Sequence, residues 1–302
     1  MLLLLGFFVI WYPKHISNAL LVNDEADYAY AASQGYFANS WDLNSLSWET
    51  FLSLGLGKGM KKGQYTNLSN YIRSSNAITF YRHHHGPLYF FGLAAAISIS
   101  SNERWLRSSG LFWLLCMAAA AMGSLNMMFP KQTYWPSVMT GGLIGLSYSG
   151  FTASTILSGH TAFACFSIIS LSTAGKWLSE NDRKWLFYSA VTGGIAFATI
   201  EYAILLPVSI FLATLLKLKS NANICWKLIA IDALTWALTA VASLLVVWPA
   251  GVIKFSILKN YIVSAYMVLM RNHVFQSDNS IVSAWIERIV SDPLTYWIII
   301  IL

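Results

Sequence analysis

Long apolar runs separated by short basic loops dominate the second half of the chain. With their flanks, six of them reach the roughly 20 residues that a helix needs to cross a bilayer: 108–129, 136–157, 160–175, 185–206, 203–217 and 228–250. Two further runs, at 2–13 and 87–99, are shorter than a span. The pattern predicts an all-α fold, a polytopic bundle of transmembrane helices.

Residues 14–85 form a long polar stretch in which Tyr36, Phe37 and Trp41 add amphipathic character. The stretch is too polar for lipid and too aromatic for a plain linker, so we expect an ordered loop with helices on the membrane surface. The run at 2–13 lacks the basic flank and cleavage site of a signal peptide. Because an apolar run is just starting at 296, we expect a C-terminally truncated fragment of a longer protein. The expected organisation is a single domain, 1–302, with an outer loop at 14–107, a transmembrane core at 108–250 and a second outer loop at 251–294.

Composition supports a membrane protein. The 302 residues are 56% hydrophobic and only 11% charged, with a mean hydropathy of +0.55, whereas soluble domains carry about 25% charged residues. The net charge of +6 lies in short loops between apolar runs, which is typical of membrane topology and not of a nucleic-acid surface. Cysteines at 116, 165 and 225 are well separated and form no CxxC, so neither a zinc site nor a disulfide framework is indicated.

The basic residues of the short loops predict the topology. By the positive-inside rule, alternate loops are cytoplasmic where they contain Lys and Arg: Lys131; Lys176, Arg183 and Lys184; Lys217, Lys219 and Lys227. This assignment requires that 87–99 does not fully cross, which we prefer. If that run does cross, the basic loops fall on the opposite side.

Three carboxylates, Asp24, Glu25 and Asp27, lie within four residues directly after the first apolar run, in a chain with 13 acidic residues. Charges kept near lipid are costly and often functional. Alternatively, Asp24 and Glu25 cap a helix that begins near Ala26, because acidic residues favour helix N-termini. The same outer face collects further titratable groups, which together indicate a site: His83, His84, His85, His160 and Glu201.

The histidine triplet at 83–85 has three interpretations: phosphate contact if protonated, metal binding if neutral, or a polar interfacial anchor. We expect adjacent histidines on an extended loop to point in different directions, so no metal site of three triplet ligands is predicted. Arg82 suits bidentate contact with a phosphate. His160 begins an apolar helix, and Glu201 lies in an apolar segment, where a carboxylate needs a polar cavity or a partner.

Four segments in order resemble motifs of the GT-C glycosyltransferases, in particular the protein O-mannosyltransferase and lipid A aminoarabinose-transferase branch. Residues 24–28 (DEADY) are similar to that family's Asp-Glu-x-x-Tyr motif after the first span. Residues 85–90 (HGPLYF) resemble its Lys/His-Pro/Gly-Pro-Leu-Tyr-Tyr motif. Residues 193–207 resemble its Gly-Leu-Ala…Lys-Gly…Leu-Pro segment, and 292–297 (DPLTYW) its His-Pro-x-x-Tyr-Tyr segment.

The resemblance implies an enzyme that moves a hexose or pentose, with inversion, from a polyprenyl-phosphate donor to a hydroxyl of a lipid, glycan or protein. The reaction takes place on the outer face of a plasma membrane, such as a bacterial inner membrane, with membrane lipids and no nucleic acid as partners. No cofactor is assigned, and a divalent metal is left open. Asp24 is the expected base, with Glu25 the next choice. Donor or acceptor binding falls to seven residues: Asp27, Tyr28, Arg82, His84, His85, His160 and Glu201.

The chain departs from the family pattern at three positions. His160 stands where the family often has Asp, and Glu201 and His85 stand where it has Lys. These departures keep open an inactive member of the family. A transporter or flippase for a lipid-linked sugar is the other alternative, although we find no internal repeat of the kind that transporters show.

Overall fold

The computed structural model describes residues 24–55, 75–131, 134–146, 159–220 and 226–264, together with residues 10, 14, 16 and 157. Within these ranges the chain is helical and has no strand, so the all-α prediction is confirmed for them. The motif at 292–297, the apolar run that starts at 296 and most of the second outer loop lie outside the described residues.

Short helices form the N-terminal part, which we call the cap layer, residues 24–97: α1 (Asp24–Ser33), α2 (Tyr36–Ser40), α3 (Trp48–Gly55), α4 (Ser75–His84), a 3-10 turn (Pro87–Phe90) and α5 (Phe91–Ile97). Gly35 separates α1 from α2 with a φ of 85°, a conformation that glycine adopts without steric cost. Pro87 cannot continue α4 because it lacks a backbone N–H, but it suits the first position of the next turn.

Longer helices form the rest: α6 (Glu103–Met128), α7 (Tyr134–Leu146), α8 (His160–Glu180), α9 (Arg183–Phe197), a 3-10 turn (Glu201–Ile204), α10 (Leu205–Ser220), α11 (Trp226–Val247), α12 (Pro249–Ile253) and α13 (255–264). Local signals set several ends. The Asn102 and Asp182 side chains accept backbone N–H groups at the starts of α6 and α9. Asn181 ends α8 in the left-handed region. The predicted start of a helix at His160 is confirmed.

The long helices pack side by side in the order α7, α6, α8, α9 and α11. Small residues permit close approach. A Cβ on Gly194 of α9 would lie 2.4 Å from the carbonyl oxygen of Ala240 in α11, so these two backbones are nearly in contact. Polar side chains add links between helices, since Ser189 accepts a hydrogen bond from the Trp236 indole.

Two helices, Glu103–Met128 and Ile229–Val247, are long and apolar enough to cross a membrane, and no other helix among the described residues meets the same criteria. Only 22% and 17% of their most apolar windows are buried. Helix α11 exposes a row of large apolar side chains: Ile231, Leu234, Leu238, Val241 and Leu245. A core helix of a soluble protein would cover such a row, so this surface is suited to a membrane.

The cap layer contacts one end of the long helices. It meets Arg107 near the start of α6, Gly159 before α8, Ala198 after α9 and Val247 at the end of α11. At the other end of the apolar stretch at 87–97, the Ala96 carbonyl accepts a hydrogen bond from the Trp105 indole at the start of α6, so the stretch begins and ends at this same end of the bundle. Basic residues cluster at the far ends of the long helices: Lys131, Lys176, Arg183, Lys184 and Lys227. Arg183 there pairs with Asp232 at 3.0 Å.

Candidate functional site

The loop between α4 and the following turn packs directly on the segment that joins α9 to Glu201. A Cβ on Gly86 would lie 2.0 Å from the carbonyl oxygen of Ala198, so only glycine permits this approach. The next backbone N–H, that of Leu88, donates to the same oxygen at 3.1 Å. The contact brings His85 next to Glu201 although 116 residues separate them.

Tyr28, His85 and Glu201 form a hydrogen-bonded chain, which we call the Tyr28–His85–Glu201 chain. His85 Nδ1 lies 2.8 Å from Glu201 Oε2, and His85 Nε2 lies 3.1 Å from the Tyr28 hydroxyl. His85 and Glu201 are buried, with 6% and 1% of their surface exposed. The His85 ring also stacks on Tyr89 with centroids 4.4 Å apart. Three separate helical segments thus converge on one imidazole.

Glu201 is only half satisfied. Its Oε1 atom is buried and has no hydrogen-bond partner among the described residues. An unpaired carboxylate oxygen away from water is costly, and native structures keep such groups for a reason that the site has to supply. The Glu201 position is therefore poised to accept a cation or a proton.

His84 joins the same cluster from the end of α4. Its Nδ1 atom lies 2.6 Å from the Ser264 hydroxyl, and its ring centroid lies 4.4 Å from that of His85. Metal-ligating atoms of His84, His85 and Glu201 all lie within 4.8 Å of one another. His160 is within electrostatic range of His85 and Glu201 from the start of α8.

The expectation of an extended histidine loop is wrong. His83 and His84 belong to α4, which ends at His84 just before Gly86-Pro87, and only His85 lies in the loop. The helix directs His83 away from the cluster, towards Asp42 and Arg82. His83 is 2% exposed. Burial lowers the pKa of His83 to about 4, against the opposing effect of Asp42.

Arg82 pairs with Asp42 at 2.8 Å, and the structure does not bring it to the His85 cluster. Burial raises the pKa of Asp42, but hydrogen bonds from the Asn44 backbone and from Arg82 outweigh it, so the net shift is downward. The role of Arg82 in phosphate binding stays a prediction.

The acidic stretch is divided among different surroundings. Helix α1 is described from Asp24 onward, so Asp24 and Glu25 belong to the helix, while the residues before Asp24 and the Asp24 side chain lie outside the described part. Asp27 is buried. Glu25 forms a two-point ion pair with Arg107, at 3.0 and 2.7 Å, and accepts the Leu157 backbone N–H at 3.2 Å. Glu25 thus ties α1 to the start of α6, and its catalytic role stays a prediction.

Sequence reasoning did not name Arg107, Ser264 or Asp42. Arg107 had a signal, because an arginine at the start of a long apolar run needs an acidic partner. Asp42 and Ser264 had none. They are ordinary polar residues whose importance depends on what packs beside them.

An apolar groove of about 460 Å³ opens elsewhere, between α8, α9, α10 and α11. Phe197 and Ala203 line it towards the Glu201 end, and Trp177 and Asp232 line it towards the basic end. The polar cluster and the groove are therefore separate features, joined by the segment that leads from α9 to α10.

Chemically, the cluster can do two things. A chain of carboxylate, imidazole and phenol can hold and pass a proton. Two imidazoles and a carboxylate are also a ligand set that zinc-type cations prefer. No family model, curated protein or solved structure matches the chain. The resemblance to the GT-C glycosyltransferases accordingly stays a prediction.

Proposed function

We propose that this protein is a membrane glycosyltransferase that moves a sugar from a polyprenyl-phosphate donor to an acceptor hydroxyl. The observation that carries the proposal is convergence. Residues 24–28, 85–90 and 193–207 resemble the family independently, and all three segments contribute to or flank the Tyr28–His85–Glu201 chain. Chance resemblances scattered along a sequence have no reason to meet at one buried polar cluster.

The outer surface of the bundle supports a multi-pass membrane location. Helices α6 and α11 are long and apolar enough to cross a membrane, and α11 exposes its apolar face. The basic residues cluster at the end of the bundle opposite the cap layer. By the positive-inside rule, that end is cytoplasmic and the cap layer lies on the outer face.

The apolar groove supports a lipid-linked donor. Its lining is almost wholly apolar, and it extends along the long helices to residues next to Glu201. A polyprenyl chain in this groove would place its phosphate at the level of the polar cluster. Ligand sites commonly combine an apolar wall with a few convergent polar groups.

Asp24 is the proposed base, one helical turn before Tyr28 on α1. The Glu25 carboxylate is the weaker candidate, because the Arg107 guanidinium occupies both of its oxygens. His85 and Glu201 depart from the family pattern at positions of replaced lysines. His85 contacts the phosphate end of the donor directly or through a bound cation, and Glu201 contacts it only through a bound cation.

The test is sugar transfer by the intact protein in membranes, with a panel of polyprenyl-phosphate sugars. We expect transfer by the wild type and a loss of about 10²–10⁴-fold in Asp24→Asn. Asp182→Asn, an exposed helix cap at the basic end, is the matched control and should keep the wild-type rate. Full activity in Asp24→Asn would remove Asp24 from the mechanism. If no donor supported transfer and the same vesicles showed flipping of the donor, the transporter hypothesis would replace the enzyme hypothesis.

A further inference from the structure

We infer that His84, His85 and Glu201 form a binding site for one divalent transition-metal ion of the zinc type. Two imidazoles and one carboxylate are a ligand set that catalytic zinc sites use, and such sites keep a fourth position open for water or substrate. The three residues come from the end of α4, the loop after it and the turn before α10. Their ligand atoms all lie within 4.8 Å of one another.

The spacing is close to that of a bound site. Ligand atoms that each lie about 2.0–2.2 Å from a tetrahedral zinc ion are about 3.4 Å apart. The widest pair in the cluster therefore has to close by about 1.4 Å. The His85 Nδ1–Glu201 Oε2 pair, now 2.8 Å apart, has to open by about 0.6 Å to admit the ion. The contact of Gly86 with Ala198 keeps the two backbone segments side by side.

Outer partners already orient both imidazoles. The Ser264 hydroxyl lies 2.6 Å from Nδ1 of His84, and the Tyr28 hydroxyl lies 3.1 Å from Nε2 of His85. Metal-binding histidines almost always use the second ring nitrogen in this way, which fixes the tautomer and the ring plane. In His85 the other nitrogen, Nδ1, faces Glu201 Oε2 at 2.8 Å, so the proposed ion would replace the hydrogen bond between them.

The second oxygen of Glu201 supplies an independent reason for a cation. Glu201 Oε1 is buried without a hydrogen-bond partner among the described residues. His85 contacts Oε2 alone, so the hydrogen bond between them leaves Oε1 without a partner among the described residues. A divalent ion satisfies the carboxylate and uses all three side chains, so it explains more of the arrangement than an ion pair does.

The open position of the ion would take an anionic oxygen, and this role rests on the proposed function. In the transfer reaction the sugar–oxygen bond to the donor phosphate breaks as the bond to the acceptor oxygen forms. The leaving phosphate gains negative charge, which an ion held by His84, His85 and Glu201 would stabilise. The acceptor proton goes to the base, and no oxidant or reductant is required.

The test is zinc binding by the intact purified protein, stripped with a chelator and titrated with Zn²⁺ against a fluorescent competitor. We expect about one ion per chain in the wild type. His84→Ala and Glu201→Gln should each weaken binding by tenfold or more. His83→Phe is the matched control, because His83 is a neighbouring buried histidine outside the cluster, and it should bind zinc like the wild type.

Cobalt substitution gives a second measurement that needs no variant. Co²⁺ in the wild type should show the visible absorption of a four-coordinate site with nitrogen and oxygen ligands. Zinc binding in His84→Ala and Glu201→Gln equal to the wild type would overturn the site, as would a Co²⁺ spectrum identical to that of the hydrated ion. Binding is measured without any sugar donor. Zinc binding without transfer would therefore refute only the proposed function, and transfer without zinc binding would refute only the metal site.

Discussion

Glu25, which is half-buried, and Glu201, which is fully buried, lie at the same end of the bundle, yet their surroundings differ. Glu25 faces a guanidinium that contacts both of its oxygens, and it accepts a backbone N–H as well. Glu201 faces an imidazole that contacts only one oxygen. Arginine is always charged, whereas histidine carries no permanent charge. The first carboxylate is therefore fully compensated, and the second one is not.

This difference separates a structural ion pair from a candidate functional group. A buried, fully hydrogen-bonded pair has no capacity left for a ligand, and its loss acts on folding. A half-satisfied carboxylate weakens the fold slightly and retains the capacity to bind. Acidic residue type alone did not distinguish the two, and the sequence pattern favoured the Glu25 region. The four predictions that follow test the comparison, from the largest expected effect to the smallest.

The largest effect is expected from breaking the Glu25 pair. Arg107→Met leaves the Glu25 carboxylate without a counter-ion, so we expect the free energy of unfolding to fall by about 3–5 kcal/mol. The free energy of unfolding is measured by tryptophan fluorescence as the protein unfolds in denaturant and detergent. The double variant Glu25→Gln/Arg107→Met should recover most of the loss. A single variant within 1 kcal/mol of the wild type would mean that Glu25 is solvated.

The second prediction contrasts the two buried histidines on either side of His84. His85 has Glu201 as a partner, while His83 has Asp42, Arg82 and Lys254 around it and a pKa lowered to about 4. Between pH 6.5 and 4 the unfolded chain binds more protons at His83 than the folded chain. The contribution of neutral His83 to the free energy of unfolding is therefore fully present above pH 6.5. It decreases by about 3 kcal/mol as the pH falls to 4. The free energy of unfolding of His83→Phe should fall less than that of the wild type over this pH interval. If the two proteins gave parallel curves of unfolding free energy against pH, the lowered pKa of His83 would be contradicted.

The third prediction moves the His85 loop away from Glu201. Gly86→Ala places a methyl group against the Ala198 carbonyl, so we expect a loss of about 1–3 kcal/mol together with weaker zinc binding. Gly123→Ala is the matched control, because nothing lies within 4 Å of a Cβ at that position of α6. There we expect unchanged zinc binding and a gain of up to about 1 kcal/mol. Equal stability of the two variants would show that the loop contact is loose.

The smallest effect is expected from single hydroxyl groups. Tyr28→Phe removes the hydrogen bond to His85, and Tyr36→Phe removes the one to the Val247 carbonyl. Each should cost about 1 kcal/mol in the free energy of unfolding. Only Tyr28→Phe should weaken zinc binding, by about 10–100-fold, because its hydroxyl orients a ligand. Equal zinc affinity in both variants would remove Tyr28 from the outer shell of the site.

Several elements could be predicted because their signals are local. The apolar runs indicated the helical class, and the start of α8 at His160 was found from the polar-to-apolar change. Of the six predicted spans, two among the described helices meet the length and hydropathy criteria. The prediction of an extended histidine loop was wrong although its signal was present. No breaker lies between 75 and 84, and Gly86-Pro87 is the first sequence that stops the helix.

The candidate site could be predicted only in part. Tyr28, His84, His85 and Glu201 were named, but as members of a wide outer face and not as one cluster. Their grouping depends on the contact of Gly86 with Ala198, between segments that no local rule connects. Ser264 and Arg107 were not found, because a polar residue shows its role only when its partner is known.

By itself, the sequence determined the helices, their breaks and the segregation of charge. These follow from apolar length, helix caps and the backbone restrictions of glycine and proline, each of which acts within a few residues. Only the tertiary structure decided that Arg107 compensates Glu25 and that His84, His85 and Glu201 share one space. The physical reason is that charge compensation and metal coordination act over a few ångströms, and packing alone brings residues 28, 85 and 201 within that distance.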